Sequence, residues 1–272
     1  MVKKIIHALR LNKIPALRKL ADFVKGTLRS TALPFPVRIQ GFWIKGPPLM
    51  DVVAGAYEPE TTKLIHKLVR PGFVFVDVGA DYGYYSLLVA QRSRDTATVY
   101  AFEPSDERYD QYLLPNIRRN GFKNINTYMT ALSDTTDTIT FYTKSGSIYN
   151  LRNDISPVAQ IVQCELLDNS IPSGIRVDLV KIDVEAGEIK VLAGMKRILT
   201  ANRDICLIIE INPGVLARAG RSANEISSYL SGLGFGAYQI KPDGSLEQFD
   251  DSGEMLSFAV AHKYANVLFK RP

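Results

Sequence analysis

The sequence predicts an α/β protein built on a mostly parallel sheet, and three observations carry that prediction. Short runs of β-branched and aromatic residues alternate with helical segments from residue 73 onward, the pattern of βαβ units. The run Phe73-Val-Phe-Val stops at Asp77 and enters a turn holding Gly79 and Gly83. A second run, Thr98-Val-Tyr-Ala-Phe102, stops at Glu103. In a parallel sheet, ligands collect outside the carboxyl ends of the strands, so both acids fall where a ligand would sit.

Taken in order, the first segment is set apart by charge. Residues 1–30 carry eight basic groups against Asp22 alone, a net of +7. Since the whole chain is +5, the remainder is −2 and has no positive excess with which to track phosphates, so no nucleic-acid partner is expected. From Pro15, Leu17, Leu20, Ala21, Val24 and Leu28 fall on one helical face and Arg18, Lys25 and Arg29 on another. Such a basic amphipathic helix suits either packing on the core or a peripheral contact with a membrane or a partner. Thr31 to Gly55 is rich in Pro and Gly and holds two apolar runs around Val37 and Trp43 that could pair as a hairpin. A helical and hairpin extension over 1–55 and a main domain over 56–272 are expected.

A helix runs from Tyr57 to about Val69 with Leu64, Ile65 and Leu68 inward, and Pro71-Gly72 ends it. Periodicity then predicts strand 73–77, helix 84–92, strand 98–102, helix 105–120, and strands 125–129 and 138–143. Strand 178–182, helix 186–201, strand 205–210, helix 222–233 and strands 235–240 and 256–262 follow. The Ser- and Pro-bearing stretch from Gly146 to Gly174 is expected to fold over the site. Lys241-Pro-Asp-Gly244 reads as a turn leading to an antiparallel strand at the sheet edge. No uninterrupted apolar run reaches the roughly 18 residues of a membrane-spanning helix. Cys164 and Cys206 carry no metal or redox spacing, which fits a reducing, cytoplasmic location.

The loop Asp77-x-Gly79-x-x-x-Gly83 enters a helix whose free N–H groups and positive dipole end can receive a carboxylate. A dinucleotide turn would want glycine where Asp81 stands. Asp81 brings bulk and negative charge to the place of a pyrophosphate, which weighs against NAD and FAD. S-adenosylmethionine has no phosphate and carries an ammonium and a sulfonium, so acidic groups there are favourable. Glu103 can accept two hydrogen bonds from vicinal ribose hydroxyls. Leu132 and Ser133, with Asp134, follow the third strand, where an adenine could be held. Asp183 and Glu185 end the fourth strand two residues apart, Lys181 shares their side, and Glu210 ends the fifth. Asp183 or Glu185, with Glu210 in reserve, are candidates for taking a proton from an acceptor hydroxyl, and the three could also offer oxygen ligands to magnesium.

With these residues the chain resembles the FkbM family of S-adenosylmethionine-dependent methyltransferases over roughly residues 55 to 265. The resemblance rests on Tyr57-Glu-Pro, Asp77-Val-Gly-Ala-x-x-Gly-Tyr-Tyr-Ser, Phe102-Glu-Pro, Asn116 and Asn120, Ala131-Leu-Ser-Asp, Lys181-Ile-Asp-Val-Glu and Ile209-Glu-Ile. It implies a Rossmann-like class I methyltransferase fold with a mostly parallel seven-stranded sheet and an antiparallel edge strand. It places Asp77, Gly79 and Gly83 at the methionine part of the cofactor, Glu103 at the ribose, Leu132 and Ser133 at the adenine, and Asp183 and Glu185 at the reacting centre. The motif neighbours Glu58, Ala80, Asp81, Tyr84, Ser86 and Pro104 join the cofactor set. The family usually has Asn in place of Asp81, and Glu-Gly-x-Glu where this chain reads Glu185-Ala-Gly-Glu188. The activity implied is O-methylation of a sugar, glycan or other secondary-metabolite acceptor. A nicotinamide oxidoreductase and a non-catalytic S-adenosylmethionine-binding protein are the alternatives from other classes.

Overall fold

The computed structural model describes residues 35–46, 57–142 and 159–272. The basic segment 1–30 and the part of the Gly146–Gly174 stretch before residue 159 lie outside the described residues. The first half of the chain runs β1 (Val37–Ile39), β2 (Phe42–Ile44), α1 (Pro59–Leu68), β3 (Val74–Val78), α2 (Tyr84–Ser93) and β4 (Thr98–Phe102). Next come α3 (Asp106–Arg108), a π-helical turn (Tyr109–Leu113), α4 (Leu114–Asn120), β5 (Ile125–Tyr128), β6 (Ala131–Leu132) and β7 (Asp137–Tyr142). The second half holds β8 (Ala159–Glu165), α5 (Leu167–Ser170), β9 (Leu179–Ile182), α6 (Glu188–Ala193), α7 (Lys196–Ala201) and β10 (Cys206–Ile211). It closes with α8 (Pro213–Arg218), α9 (Ala223–Gly232), β11 (Gly236–Ile240), β12 (Leu246–Gln248), α10 (Ser252–Ala261) and β13 (Ala265–Lys270).

Eight strands form the main sheet in the order β12-β11-β13-β10-β9-β3-β4-β5. The five from β10 to β5 are parallel, β13 is antiparallel to both its neighbours, and β12 adds antiparallel to β11 at the edge. Period-2 alternation sends side chains to two apolar layers. Val76, Tyr100, Phe102, Val180, Leu207 and Ile209 enter one, and Phe75, Val99, Leu179 and Ile208 enter the other. Both faces are covered, which is why the central strands read as nearly continuous apolar runs. Each fully buried Leu, Ile or Phe here contributes about 1.5–3 kcal/mol of transfer free energy.

Three departures from the sequence reading have local causes. The last expected strand, 256–262, is helix α10: Asp251 accepts from the Glu254 N–H at 2.9 Å and Glu254 from the Asp250 N–H at 2.7 Å. Met255 and Ala259 then bury at i and i+4. His262 therefore caps a helix instead of lying in a strand, and the true strand β13 follows it. The helix expected over 186–201 is broken between α6 and α7 at Gly194, where an added Cβ would lie 2.0 Å from the Ser133 carbonyl oxygen. The turn at Lys241–Gly244 does lead to an edge strand, the short β12, which raises the count from seven strands to eight.

The hairpin β1–β2 lies on the extension side of the expected boundary yet packs into the main core. Phe42 and Ile44 are 0% and 1% exposed, in one cluster with Leu64, Phe75 and Leu87. Two asparagines of α4 complete the hydrogen bonds of β2. Asn116 accepts from the Lys45 N–H and donates to the Lys45 carbonyl, both at 2.8 Å, while Asn120 brackets Trp43 in the same way. Asn116 also donates to the Tyr82 carbonyl at 2.9 Å. Replacing Asn116 with alanine deletes three bonds at a buried position, so we expect a loss of about 3 kcal/mol in urea unfolding, with earlier proteolytic cleavage at the hairpin.

Candidate active site

Strand parity decides which acids meet. Asp77 of β3 is in register with Lys181 of β9, Lys181 with Ile208 of β10, and Glu210 of β10 with Asn266 of β13. All project toward the layer that contains α1 and α2, and Asp183 shares the parity of Lys181. At the carboxyl ends of these strands lies a cleft of about 390 Å³.

One side of it is the β3–α2 loop. Asp77 is buried and its Oδ2 accepts from the Ser86 N–H at 3.1 Å and hydroxyl at 2.6 Å. Burial pushes its pKa up to about 6, against the pull of Ser86 and Lys181. Gly79 has φ +80°, and a Cβ there would lie 2.0 Å from the Asp183 carbonyl oxygen. Only glycine lets the loop press against the end of β9. Gly79→Ala should lower stability by about 3 kcal/mol or more, checked by the urea midpoint, because both the dihedral and a backbone oxygen resist the methyl group.

Glu103, at the end of β4, is buried and takes one backbone N–H on each oxygen: Asp81 on Oε2 and Ser105 on Oε1, both at 2.9 Å. Burial first, then the charge of Asp81, lifts its pKa to about 7. Asp81 sits at φ 51° and pairs with Arg108, the last residue of α3. Its charge is thus matched by a cation that sequence reasoning did not single out. The positive φ is one that Asn and Asp tolerate better than other side chains, which fits either residue at this place.

At the opposite end, the carboxylates of Glu58, Asp183 and Glu210 all lie within 4.8 Å of one another. Lys181, 2% exposed, donates to Asp183 Oδ2 at 2.7 Å and stands over the Tyr85 ring. Glu58 accepts from the Tyr85 hydroxyl at 2.5 Å and hydrogen-bonds Asn266. Burial raises the pKa of Glu58 against the attraction of Lys181; burial and then the charge of Asp183 raise that of Glu210 well above the ordinary carboxylate range. Glu185 lines the cleft too, with φ 50°, and its pKa is raised by burial and by Asp183. The carboxylate group that closes on one point is therefore Glu58 with Asp183 and Glu210, in place of the Asp183, Glu185 and Glu210 set suggested by the sequence for magnesium.

Ala80, Tyr84, Pro104 and Leu132 also line the cleft. Three expected residues stand behind its wall: Gly83 is the left-handed N-cap of α2, Ser86 holds Asp77, and Ser133 bonds Asp134 and Glu165. The sequence reading did not single out Phe141 of β7, Asn212 after β10 or Tyr264 before β13, all of which face the cleft. Asn212 carried a usable signal, since it precedes Pro213 as a helix N-cap and accepts from the Val215 N–H. Phe141 reaches the site through a second small sheet of β6, β8 and β7, whose pairing no local pattern announces.

A five-stranded parallel core with an antiparallel strand inserted beside it, and an acidic cleft at its carboxyl ends, make a Rossmann-like α/β arrangement with a ligand-sized site at the strand ends. The family model described as the methyltransferase FkbM domain matches residues 77–236, more than half of the chain. The protein belongs to that family and is an S-adenosylmethionine-dependent methyltransferase. Comparison with curated protein sequences finds no match. Among solved structures it is similar to TYW2 of M. jannaschii in complex with AdoMet, at 17% identity and TM-score 0.45, covering 89% of this chain and 88% of that one. It is also similar to precorrin-6y C5,15-methyltransferase of Geobacter metallireducens, at 10% identity and TM-score 0.44 over 79% and 88% of the two chains. A third is an rRNA methylase of Streptococcus thermophilus, at 14% identity and TM-score 0.43 over 78% and 93%.

Proposed function

We propose that the protein methylates a hydroxyl group on a sugar, glycan or other secondary-metabolite acceptor. The observation that carries this reading is the convergence of Glu58, Asp183 and Glu210 at one end of the cleft. A protonated hydroxyl is a poor nucleophile, and a buried carboxylate whose pKa has risen is well matched to remove its proton as the new bond forms. Glu210 is the best placed of the candidates, with Asp183 held by Lys181 beside it and Glu185 at the rim. The cleft wall presents these carboxylates where a proton leaving the acceptor could be received.

The cofactor-facing residues suit S-adenosylmethionine. Both cations in the cleft wall, Arg108 and Lys181, are already ion-paired, and the acids outnumber them, an environment for a sulfonium and an ammonium rather than a diphosphate. Each Glu103 oxygen has one backbone partner and keeps a lone pair, so it can still take two ribose hydroxyls. Asp77, Gly79, Ala80, Asp81 and Tyr84, backed by Gly83, Ser86 and Glu58, would hold the amino-acid part. Pro104 would flank the ribose, and Leu132 with Ser133 behind it the adenine. When bound, the cofactor supplies an electrophilic methyl group; the protein's task is to align the acceptor oxygen with it and receive the proton.

The test is incubation with methyl-labelled cofactor and fractionated cell extract, followed by identification of the labelled product. Label recovered as a methoxyl group supports the reading, whereas label on nitrogen alone, or none with any fraction, refutes it.

A further inference from the structure

We propose that the outer face of the β1–β2 hairpin, with the basic residues flanking it, is a docking surface for an anionic lipid bilayer. While Phe42 and Ile44 point inward, Trp43 between them is 43% exposed, and Phe35, just before the hairpin, is 58% exposed. Arg38 is the cross-strand partner of Trp43, so its side chain shares that outer face, and it too is exposed. On one flank α2 and its C-cap offer the exposed Arg92 and Arg94, followed by Asp95; on the other, α4 offers exposed Arg119 beside the Asn120 that brackets Trp43. In the sequence, residues 1–30 ahead of this hairpin carry a net charge of +7.

Charge and apolar character together favour a membrane. Cations are drawn to the anionic leaflet, each worth about fivefold in partitioning, and Trp is the side chain best suited to the boundary between headgroups and acyl chains. A nucleic-acid partner would explain the cations alone. Among the described residues no helix is long and apolar enough to cross a bilayer, so the contact is peripheral. The hairpin is also tied to the catalytic cleft, since Asn116 bonds both Lys45 and the cleft residue Tyr82. The proposal does not depend on the nature of the methyl acceptor.

Trp43 is the only tryptophan of the chain, so its fluorescence reports on this face without any mutation. Titrating the full-length protein with vesicles of 70:30 phosphatidylcholine:phosphatidylglycerol should shift its emission to the blue and expose it to quenching by doxyl-labelled lipid. Pure phosphatidylcholine vesicles should produce neither effect. In co-sedimentation, Trp43→Ser should weaken binding about tenfold, and R38E/R119E by more than about twentyfold. S-adenosylmethionine titration calorimetry on both variants verifies that they remain folded. Unchanged emission with anionic vesicles overturns the proposal, even if residues 1–30 bring the protein down with them. Equal binding to neutral vesicles overturns it too, as does full displacement by duplex RNA without any effect of Trp43→Ser.

Discussion

Glu103→Ala should weaken S-adenosylmethionine binding at least about 100-fold in titration calorimetry, because two charge-assisted hydrogen bonds to the ribose are each worth about 1.5–3 kcal/mol. The buried carboxylate is held rigidly by the Asp81 and Ser105 N–H groups, so its remaining lone pairs are aimed before any ligand arrives. Glu103→Gln, which keeps one acceptor oxygen, should fall between wild type and alanine. The pKa of Glu103 gives the pH dependence and its sign. It is raised from 4.5 to about 7 by burial and by Asp81, so its protonated form favours the folded state. That stabilisation is full below about pH 4.5 and disappears as pH rises through about 7. Ribose hydroxyls donate to the ionised form, hence cofactor affinity should move the opposite way. It should rise with pH up to about 7, by at most about tenfold per unit, and level off above. Glutamine at this position should remove that slope. Affinity unchanged in the alanine variant would remove Glu103 from the cofactor site.

The second large effect belongs to Glu210. Glu210→Gln should reduce kcat by about 10²–10⁴ while leaving the affinity for S-adenosylmethionine within a few fold, since Glu210 stands at the end of the cleft away from Glu103. The wild-type rate should climb with pH as Glu210 loses its proton. Its pKa lies well above the ordinary carboxylate range because of burial and the charge of Asp183, and the glutamine variant should lose that limb. Asp183→Asn is a poorer probe. It strips Lys181 of its hydrogen-bonded partner, and an uncompensated buried charge costs about 3–5 kcal/mol, so a fall in rate would mix chemistry with unfolding. A kcat for Glu210→Gln equal to wild type, with the pH limb intact, would transfer the role to Asp183 or Glu185.

Much of the site was legible in the sequence for one reason: the parallel strands end in acids, and parity forces acids of one register onto one side. Asp77, Glu103, Asp183 and Glu210 could be read in that way. Arg108 could not, since its pairing with Asp81 depends on how α3 and the π-helical turn pack, a matter of tertiary contact. Glu58 could be read only through the family motif, because it lies outside the strand pattern and reaches the cluster through the approach of α1 to the sheet. Leu256-Ser-Phe-Ala-Val-Ala-His262 has the composition of a strand, but Asp251 and Glu254 cap a helix start just ahead of it. The capping residues, not the apolar run, carried the decisive local signal. With α10 starting there, Ala265–Lys270 becomes the inserted strand and Tyr264 a neighbour of the cleft.

The seating of β2 sets a limit on how this chain can be shortened. Phe42 and Ile44 fill a gap above Leu64 and Leu87, and Asn116 has its amide committed to Lys45. A protein cut at residue 56 would open that gap to water, leave an asparagine amide without its mate, and loosen the carbonyl of Tyr82 at the edge of the catalytic hollow. The smallest piece expected to keep an intact catalytic hollow therefore begins upstream of Val37.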